Sequence, residues 1–407
     1  MSLNSMPTNP LEGPRLVCPY CYSDFTERQI RFRCLGRPGP DGRACSESED
    51  QALRDHLGRR ERLPPVFAGN GRRPKARCPE CSVFSDRQVC AVCHSRLPVD
   101  FGRMRGRMIA LVGAPDAGKT VFMTVLIHEL KNRVGERFRA SVGGSDDHTR
   151  HRFGVDYESP LYEQGRLLRA TRRTGATREP LVFRFTGQRR GLVGQRPHHT
   201  LLSFFDTAGE DLNDERSVET NLRYLNNADG VIVLLDSLQM EGARRSVAPG
   251  SRLPAPESPQ NRPIHMLERV TDLLLRRQGT ANRLIKVPIA VCLTKIDALR
   301  DQLDEGSPLH RPQPSEPYFD ATDGQDVHAQ IQQLLHRWDG PRIDNHVANH
   351  YRNAHYFGVS ALGDSPGEDN LVRGGVRPYR VADPFLWMLS RFGVISAKGS
   401  DHRPHLL

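Results

Sequence analysis

Between residues 108 and 395 the chain alternates short, almost wholly apolar runs with longer stretches that place an apolar residue every third or fourth position. The first pattern reads as strands buried on both faces, the second as helices with one apolar stripe. Strands are predicted at MIALV (108–112), LVFRF (181–185), LLSFF (201–205), GVIVLLD (230–236), PIAVCL (288–293) and HYFGVS (355–360). Helices are predicted over VFMTVLIHELKNRV (121–134), HMLERVTDLLLRRQ (265–278), VHAQIQQLLHRW (327–338) and PFLWMLSRF (384–392). Strands that alternate with helices imply an α/β domain, residues 100–395, with a mostly parallel sheet flanked by helices. Insertions are expected near 140–180, 238–263 and 300–322; the Pro- and Ser-rich stretches 246–263 and 305–317 fit neither period and read as surface segments.

Before residue 100 the pattern is different: apolar runs are short and cysteines cluster. Cys18-Pro-Tyr-Cys21 is followed by Cys34 and Cys45, and Cys78-Pro-Glu-Cys81 by Cys90-Ala-Val-Cys93. A Cys-x-x-Cys pair turns two sulfurs toward one ion, and four thiolates close a tetrahedral zinc shell with no open position, which makes such a site structural. Grouped by nearness in sequence, Cys18, Cys21, Cys34 and Cys45 hold one zinc ion and Cys78, Cys81, Cys90 and Cys93 a second. Residues 16–99 then form two small tandem modules, preceded by a disordered leader (1–15), with a tail at 396–407. His94 reads as a flanking surface residue, and Cys292, inside PIAVCL, as a small hydrophobe of the core.

The 407 residues suffice for two or three domains. No stretch approaches the roughly 18 consecutive apolar residues that span a bilayer, and no signal peptide is evident, so the expected location is the cytoplasm, where thiols stay reduced. The net charge of +10 is uneven: residues 1–107 carry 19 basic and 12 acidic side chains, 131–200 carry 15 and 7, and 201–407 carry 23 and 27. Each zinc with four thiolates contributes a net charge of about −2, which lowers the N-terminal excess from +7 to about +3. Charge therefore argues against a nucleic-acid partner. Of the 58 basic residues only six are lysines, which gives weight to a lysine wherever chemistry needs a compact ammonium.

One of those six is Lys119. Gly113-Ala114-Pro115-Asp116-Ala117-Gly118-Lys119-Thr120 lies between the first strand and a helix opening at Val121, the frame of a phosphate-binding loop. Its amides and the helix N-terminus cradle phosphates, Lys119 reaches the β- and γ-phosphates, and the Thr120 hydroxyl ligates Mg²⁺. After LLSFF comes Asp206-Thr207-Ala208-Gly209, suited to hold Mg²⁺ through water and to sense the γ-phosphate through the Gly209 amide. After PIAVCL comes Thr294-Lys295-Ile296-Asp297, where the aspartate accepts the two N–H donors of a guanine edge while the lysine stem stacks on the ring. After HYFGVS, Ser360-Ala361-Leu362 offers an amide to the guanine O6.

On these motifs the chain resembles the Ras-like GTPases of the translation-factor-related class over about residues 108–395, with Thr294 in place of the usual asparagine. Together with the cysteine clusters and the opening IALVGAPDAGKTVFMTVLIHEL, it is similar to the bacterial double-GTPase family. The resemblance implies a Mg²⁺-dependent switch that binds and hydrolyses GTP, working with a protein partner such as a second GTPase encoded nearby, in a signalling or conflict system. The first-switch threonine falls among Thr171, Thr174 and Thr177, with Thr177 favoured for its nearness to LVFRF; Arg172, Arg173 and Arg178 beside it read as a solvated basic loop or as an arginine finger in cis. Glu210 stands where Ras-like enzymes carry a water-orienting glutamine, so slow intrinsic hydrolysis is expected. The alternatives are a non-hydrolysing scaffold, which Glu210 favours, and a zinc-ribbon nucleic-acid binder with an accessory NTPase.

Overall fold

Among the described residues, seven strands longer than two residues build the α/β region: β1 (Ile109–Gly113), β2 (Ser141–Gly144), β3 (Leu181–Arg190), β4 (Gln195–Phe204), β5 (Gly230–Asp236), β6 (Ile289–Thr294) and β7 (Ala354–Gly358). The computed structural model describes residues 15–98, 101–103, 107–114, 117–168, 179–190, 195–204, 223–247, 253–256, 262–278, 283–367, 369–372 and 374–399. Strands β1, β5 and β6 bury every residue, as a parallel sheet covered on both faces requires. The sheet runs β1-β5-β6-β7, all parallel, in registers such as Leu111↔Ile232, Val233↔Val291 and Cys292↔Phe357. Four helices cover the predicted stripes, α1 (Lys119–Lys131), α2 (Pro263–Gln278), α3 (Ala321–Asp339) and α5 (Asp383–Arg391), and α4 (Arg342–His350) is a helix the sequence pattern did not predict. In α2 the buried set Ile264, Met266, Leu267, Val270, Thr271 and Leu274 falls at helical spacing, and in α1 an almost all-round apolar sequence is almost wholly buried.

LVFRF and LLSFF do not extend this parallel sheet. They are β3 and β4, an antiparallel hairpin in register Leu181↔Phe204, which with β2 makes a separate three-stranded sheet. The two sheets touch where the Arg107 amide donates to the Leu201 carbonyl (3.1 Å). Beyond that point the Tyr224 hydroxyl accepts from the Leu111 amide (3.0 Å) and donates to the Ile109 carbonyl (3.1 Å), supplying β1 with partners that a further strand would otherwise provide. The Leu181–Phe185 and Leu201–Phe204 stretches of the hairpin bury side chains on both faces. Leu181, Phe183, Phe185, Leu202 and Phe204 enter the main core, while Val182 and Leu201 join a second core with Leu16, Tyr20, Phe25, Leu53, Leu57 and Leu97 of the cysteine-rich region.

That region is one interwoven unit, which corrects the expected tandem pair. Its central strand, Arg31–Arg33, pairs antiparallel with both Val66–Ala68 and Gln88–Val89. Cys34 leaves one end of this ladder, and Cys90 follows Gln88–Val89, so the ladder carries the 90–93 turn to the 18–21 turn and leaves Cys34 to meet the 78–81 turn. The four-sulfur sets are therefore Cys18, Cys21, Cys90 and Cys93, and Cys34, Cys45, Cys78 and Cys81; in each, the sulfurs lie within 4.8 Å of one another. Sequence proximity misgrouped them because each Cys-x-x-Cys turn supplies two ligands and the sheet, not the local chain, brings the other two. Arg33 and Asp50 link the two sets through a buried ion pair (2.6 Å), and Asp50 also accepts from Leu53 N and meets His94 Nδ1 (2.9 Å), so His94 is a partner of Asp50 and not a ligand.

Two further expectations change. Within 305–317, Ser307, Pro308 and Leu309 are buried, and in the expected tail Ala397–Lys398 pairs with Phe319–Asp320. Arg380, 1% exposed, anchors this corner: its guanidinium binds Asp323 at the start of α3 (2.6 and 3.0 Å), Asp383 of α5 (2.8 Å) and the Pro308 carbonyl (3.2 Å). The leader, 1–14 of it, and most of 246–263 lie outside the described residues.

Removing the Arg380 guanidinium strands two carboxylates in a poorly solvated corner, so Arg380→Ala is expected to lower unfolding free energy by about 3–5 kcal/mol in chemical denaturation. Metal content distinguishes the interwoven from the tandem arrangement. The double variant Cys18→Ser/Cys93→Ser should lose one bound metal ion per chain and Cys18→Ser/Cys34→Ser two, whereas tandem sites would give the reverse.

Candidate functional site

The phosphate loop begins where β1 ends. At Gly113 a side chain would press on Leu234 of β5, with Cβ 3.1 Å from both its Cβ and its carbonyl oxygen, and Gly118 takes a left-handed backbone (φ 79°) immediately before α1, a conformation open to glycine at little cost. Lys119 is buried, with Nζ donating to the Gly113 carbonyl (3.2 Å), so the ammonium lies folded over the loop. Ala114 and Ala117 are buried beside it, the Ala117 amide donating to the Ala114 carbonyl (3.3 Å); Thr120 and Val121 open α1. Asp116 lies outside the described residues.

Parallel pairing carries the Thr294–Asp297 and Ser360–Leu362 segments to the same edge. Asp236, the last residue of β5, is in register with Thr294, the last of β6. The Thr294 hydroxyl lies 3.3 Å from the Ala117 carbonyl of the phosphate loop and 3.4 Å from the Leu235 carbonyl, so threonine here braces the loop. Lys295 has a left-handed backbone (φ 59°) and its Nζ is 2.5 Å from Asp236 Oδ2. Asp236 is almost wholly buried and also accepts from the Leu238 amide (2.9 Å).

Asp297 lines a cleft with Ile296, Arg300, Leu303, Leu309, Ser360, Gly363 and Tyr379. Burial pushes its carboxyl above the ordinary value, with the Ser360 hydroxyl, its own amide and Lys295 pulling the other way. A carboxylate in that position gains from a ligand offering two N–H donors. Ser360 is held by paired backbone bonds to Tyr379 (3.0 and 2.8 Å), its hydroxyl accepts from the Gly363 amide (2.8 Å), and Ala361 and Leu362 pack against the core. The structure thus gathers Gly113, Ala114, Ala117, Gly118, Lys119, Thr120, Val121, Thr294, Lys295, Asp297, Ser360, Ala361 and Leu362 around one edge of the sheet. Thr177, Asp206, Gly209 and Glu210 lie outside the described residues.

Sequence reasoning missed Asp236, Arg300 and Tyr379. Asp236 had a signal: an acidic residue closing an apolar strand that precedes the Thr-Lys-x-Asp strand. Tyr379 had none, because a chain reversal after Leu362 brings it back against Ser360.

The cysteine sets fit a tetrahedral ion. Neighbouring sulfurs are 3.7 Å (Cys18–Cys93), 3.8 Å (Cys21–Cys90), 3.5 Å (Cys34–Cys81) and 3.7 Å (Cys45–Cys78) apart, close to the roughly 3.8 Å edge that Zn–S bonds of about 2.3 Å produce. Amides of Tyr20, Val92 and Gly36 point at Cys18, Cys90 and Cys34 sulfurs (3.4, 3.3 and 3.4 Å), stabilising thiolates. After each Cys-x-x-Cys a residue has positive φ: Tyr22 (57°), Ser82 (61°) and His94 (57°), a repeated turn that aims two sulfurs at one point. The Val83 amide is the main cause that lowers the Cys81 thiol to about 7, while burial raises Cys18.

Among the described residues no helix is long and apolar enough to cross a membrane. The chain is 30% identical over 331 residues, 76% of its length and 80% of the relative's, to the "Putative ESX-1 scaffolding and assembly protein SaeC" of Mycolicibacterium smegmatis. Among solved structures it is similar to Sup35 complexed with GDP (14% identity, TM-score 0.23, 65% of this chain and 40% of that one) and to the Saccharomyces cerevisiae Ski7 GTPase-like domain bound to GDP and phosphate (13%, 0.27, 67% and 47%). It spans less than half of each of those solved chains, and the superpositions are loose enough that nothing of its function is taken from them. The profile of Double-GTPase 2 matches residues 107–338, more than half of the chain and the whole stretch from β1 through α3. The chain belongs to the Double-GTPase 2 family.

Proposed function

We propose that the protein is a Mg²⁺-dependent guanine-nucleotide switch that hydrolyses GTP slowly, carries two structural zinc ions and acts on a protein partner in a bacterial assembly. The observation that carries this reading is the junction of Thr294 with Ala117, which joins the base-reading segment to the phosphate loop at the edge where Lys119, Asp297 and Ser360 also converge. Lys119 and the amides from Gly113 to Thr120 would hold the phosphates, Thr120 and Asp206 the Mg²⁺, and Thr294, Lys295, Asp297, Ser360, Ala361 and Leu362 the guanine. Mg²⁺ supplies charge neutralisation between the phosphates. Asp236 holds the Lys295 ammonium, so that the stem of the lysine is fixed beside the base position. Hydrolysis would use Gly209 and Thr177 at the γ-phosphate, with Glu210 a poor substitute for a neutral water-orienting side chain.

The relative named for scaffolding and assembly supports protein partners as the output, and it favours a second reading in which nucleotide state governs assembly without turnover. Zinc is the metal that four buried thiolates at these spacings suit best.

Titration of the full chain with fluorescent GTP, GDP and ATP analogues in Mg²⁺ tests the assignment. Guanine nucleotides are expected to bind in preference to ATP, Lys119→Ala to abolish binding, and Asp297→Asn to shift preference toward xanthine nucleotides. Unchanged GTP affinity in Asp297→Asn contradicts the base assignment; in the same preparation, single-turnover hydrolysis well above that of Ras-like proteins alone contradicts the role given to Glu210.

A further inference from the structure

One residue of the metal-binding unit reaches both strands that lead to the nucleotide edge. Tyr22 follows Cys21 directly and is 1% exposed, its backbone held left-handed by the Cys18–Cys21 turn. Its hydroxyl lies 3.1 Å from Ser203 Oγ in β4, and Ser203 Oγ donates to the Pro19 carbonyl inside the same turn (2.7 Å). Its ring lies 5.0 Å, centroid to centroid, from that of Tyr224, whose hydroxyl bridges Ile109 and Leu111 of β1. Its carbonyl accepts from Asn227 Nδ2 (2.9 Å). In the chain, β1 runs into the phosphate loop at Gly113, and Ser203 stands three residues before Asp206.

A second set of contacts holds the same unit to the start of the hairpin. Arg59 pairs with Glu179, whose side chain is 5% exposed, and the Tyr20 hydroxyl meets Ser145 (3.0 Å) and Asp146. Val182 and Leu201 complete the interface from the hairpin's face. These contacts come from the set of Cys18, Cys21, Cys90 and Cys93, whose residues lie in the core shared with the hairpin; the set of Cys34, Cys45, Cys78 and Cys81 belongs to a separate cluster with Phe32 and Phe67.

We propose that Tyr22 couples metal occupancy of the Cys18, Cys21, Cys90 and Cys93 site to guanine-nucleotide affinity, so that this metal unit regulates the nucleotide site. The inference rests on the nucleotide-binding reading above. The turn that positions Tyr22 is closed by the ion that joins Cys18 and Cys21 to Cys90 and Cys93. When that closure is lost, Tyr22 is free to leave its left-handed backbone; Ser203 on β4 then loses the Tyr22 hydroxyl, and Tyr224, bonded to β1, loses the ring packed against its own. Linkage makes the effect reciprocal: whatever factor metal gives to nucleotide affinity, nucleotide gives to metal affinity.

The test uses the full chain with both ions bound and a fluorescent GDP analogue. Extraction of metal by chelator is expected to weaken GDP-analogue binding about tenfold, and bound GDP to strengthen metal retention against chelator by the same factor. Tyr22→Phe, with two metal ions, should weaken binding about threefold and Ser203→Ala, which also loses the bond to Pro19, at least as much; the double variant should bind no more weakly than Ser203→Ala alone, in which the Tyr22–Ser203 bond is already gone. These variants need no chelation, so they decide the matter even if the stripped protein unfolds. Wild-type affinity in both variants overturns the role of Tyr22, whatever chelation does. If the parent protein binds no guanine nucleotide, the coupling falls together with the reading beneath it; nucleotide binding that neither chelation nor the variants alter overturns the coupling alone.

Discussion

The Leu181–Phe185 and Leu201–Phe204 part of the hairpin β3–β4 places apolar side chains on both faces, and that constraint organises the rest of the molecule. A two-faced hairpin cannot sit at the edge of a domain with one side in water. Five of its residues fill the main core, and Val182 and Leu201 must be covered from the other side. Burying two such side chains contributes about 3–6 kcal/mol, a large share of the roughly 5–15 kcal/mol by which a domain is stable. The cysteine-rich unit supplies the cover. It is therefore a structural part of the nucleotide-binding body, joined to it through packing, the Arg59–Glu179 ion pair and the hydroxyl bond of Tyr22.

The same logic shows what a metal ion would contribute to the unit. Its strands are two or three residues long, and its core is largely sulfur with a few aromatic rings. Each four-cysteine cluster could hold a tetrahedral ion, which would close it where hydrophobic area is too small to do so. The interwoven sets bring distant parts of the chain together, Cys18 against Cys93 and Cys34 against Cys81, so that an ion held there would tie the whole unit. Elsewhere Arg380 does comparable work with charge, tying α3, α5 and the Ser307–Leu309 turn, of which Leu309 lines the cleft with Asp297.

Much of this was legible in the sequence. Runs such as GVIVLLD and PIAVCL can be little other than buried parallel strands, and the segments that follow them reach one edge because parallel strands end on one side. Legibility failed where long-range pairing decided the outcome. The grouping of cysteines depended on the ladder between Arg31–Arg33 and Gln88–Val89, which short polar strands do not announce. LVFRF and LLSFF were read as members of the parallel sheet because burial on both faces looks the same whether the second cover is a helix or a metal unit. Tyr379 reaches the cleft and Tyr224 the backbone of β1 through folds of the chain that no spacing rule reveals.

A metal unit, a hairpin and the phosphate-loop strand behaving as one cooperative body is the central claim, and amide hydrogen exchange tests it most directly. In the metal-loaded protein, amides of Leu181–Phe185 and Leu201–Phe204 are predicted to exchange as slowly as those of Ile109–Gly113, and all three segments to lose protection together when metal is withdrawn. Hairpin amides that exchange fast while metal is bound, or that keep their protection after its removal, contradict the account.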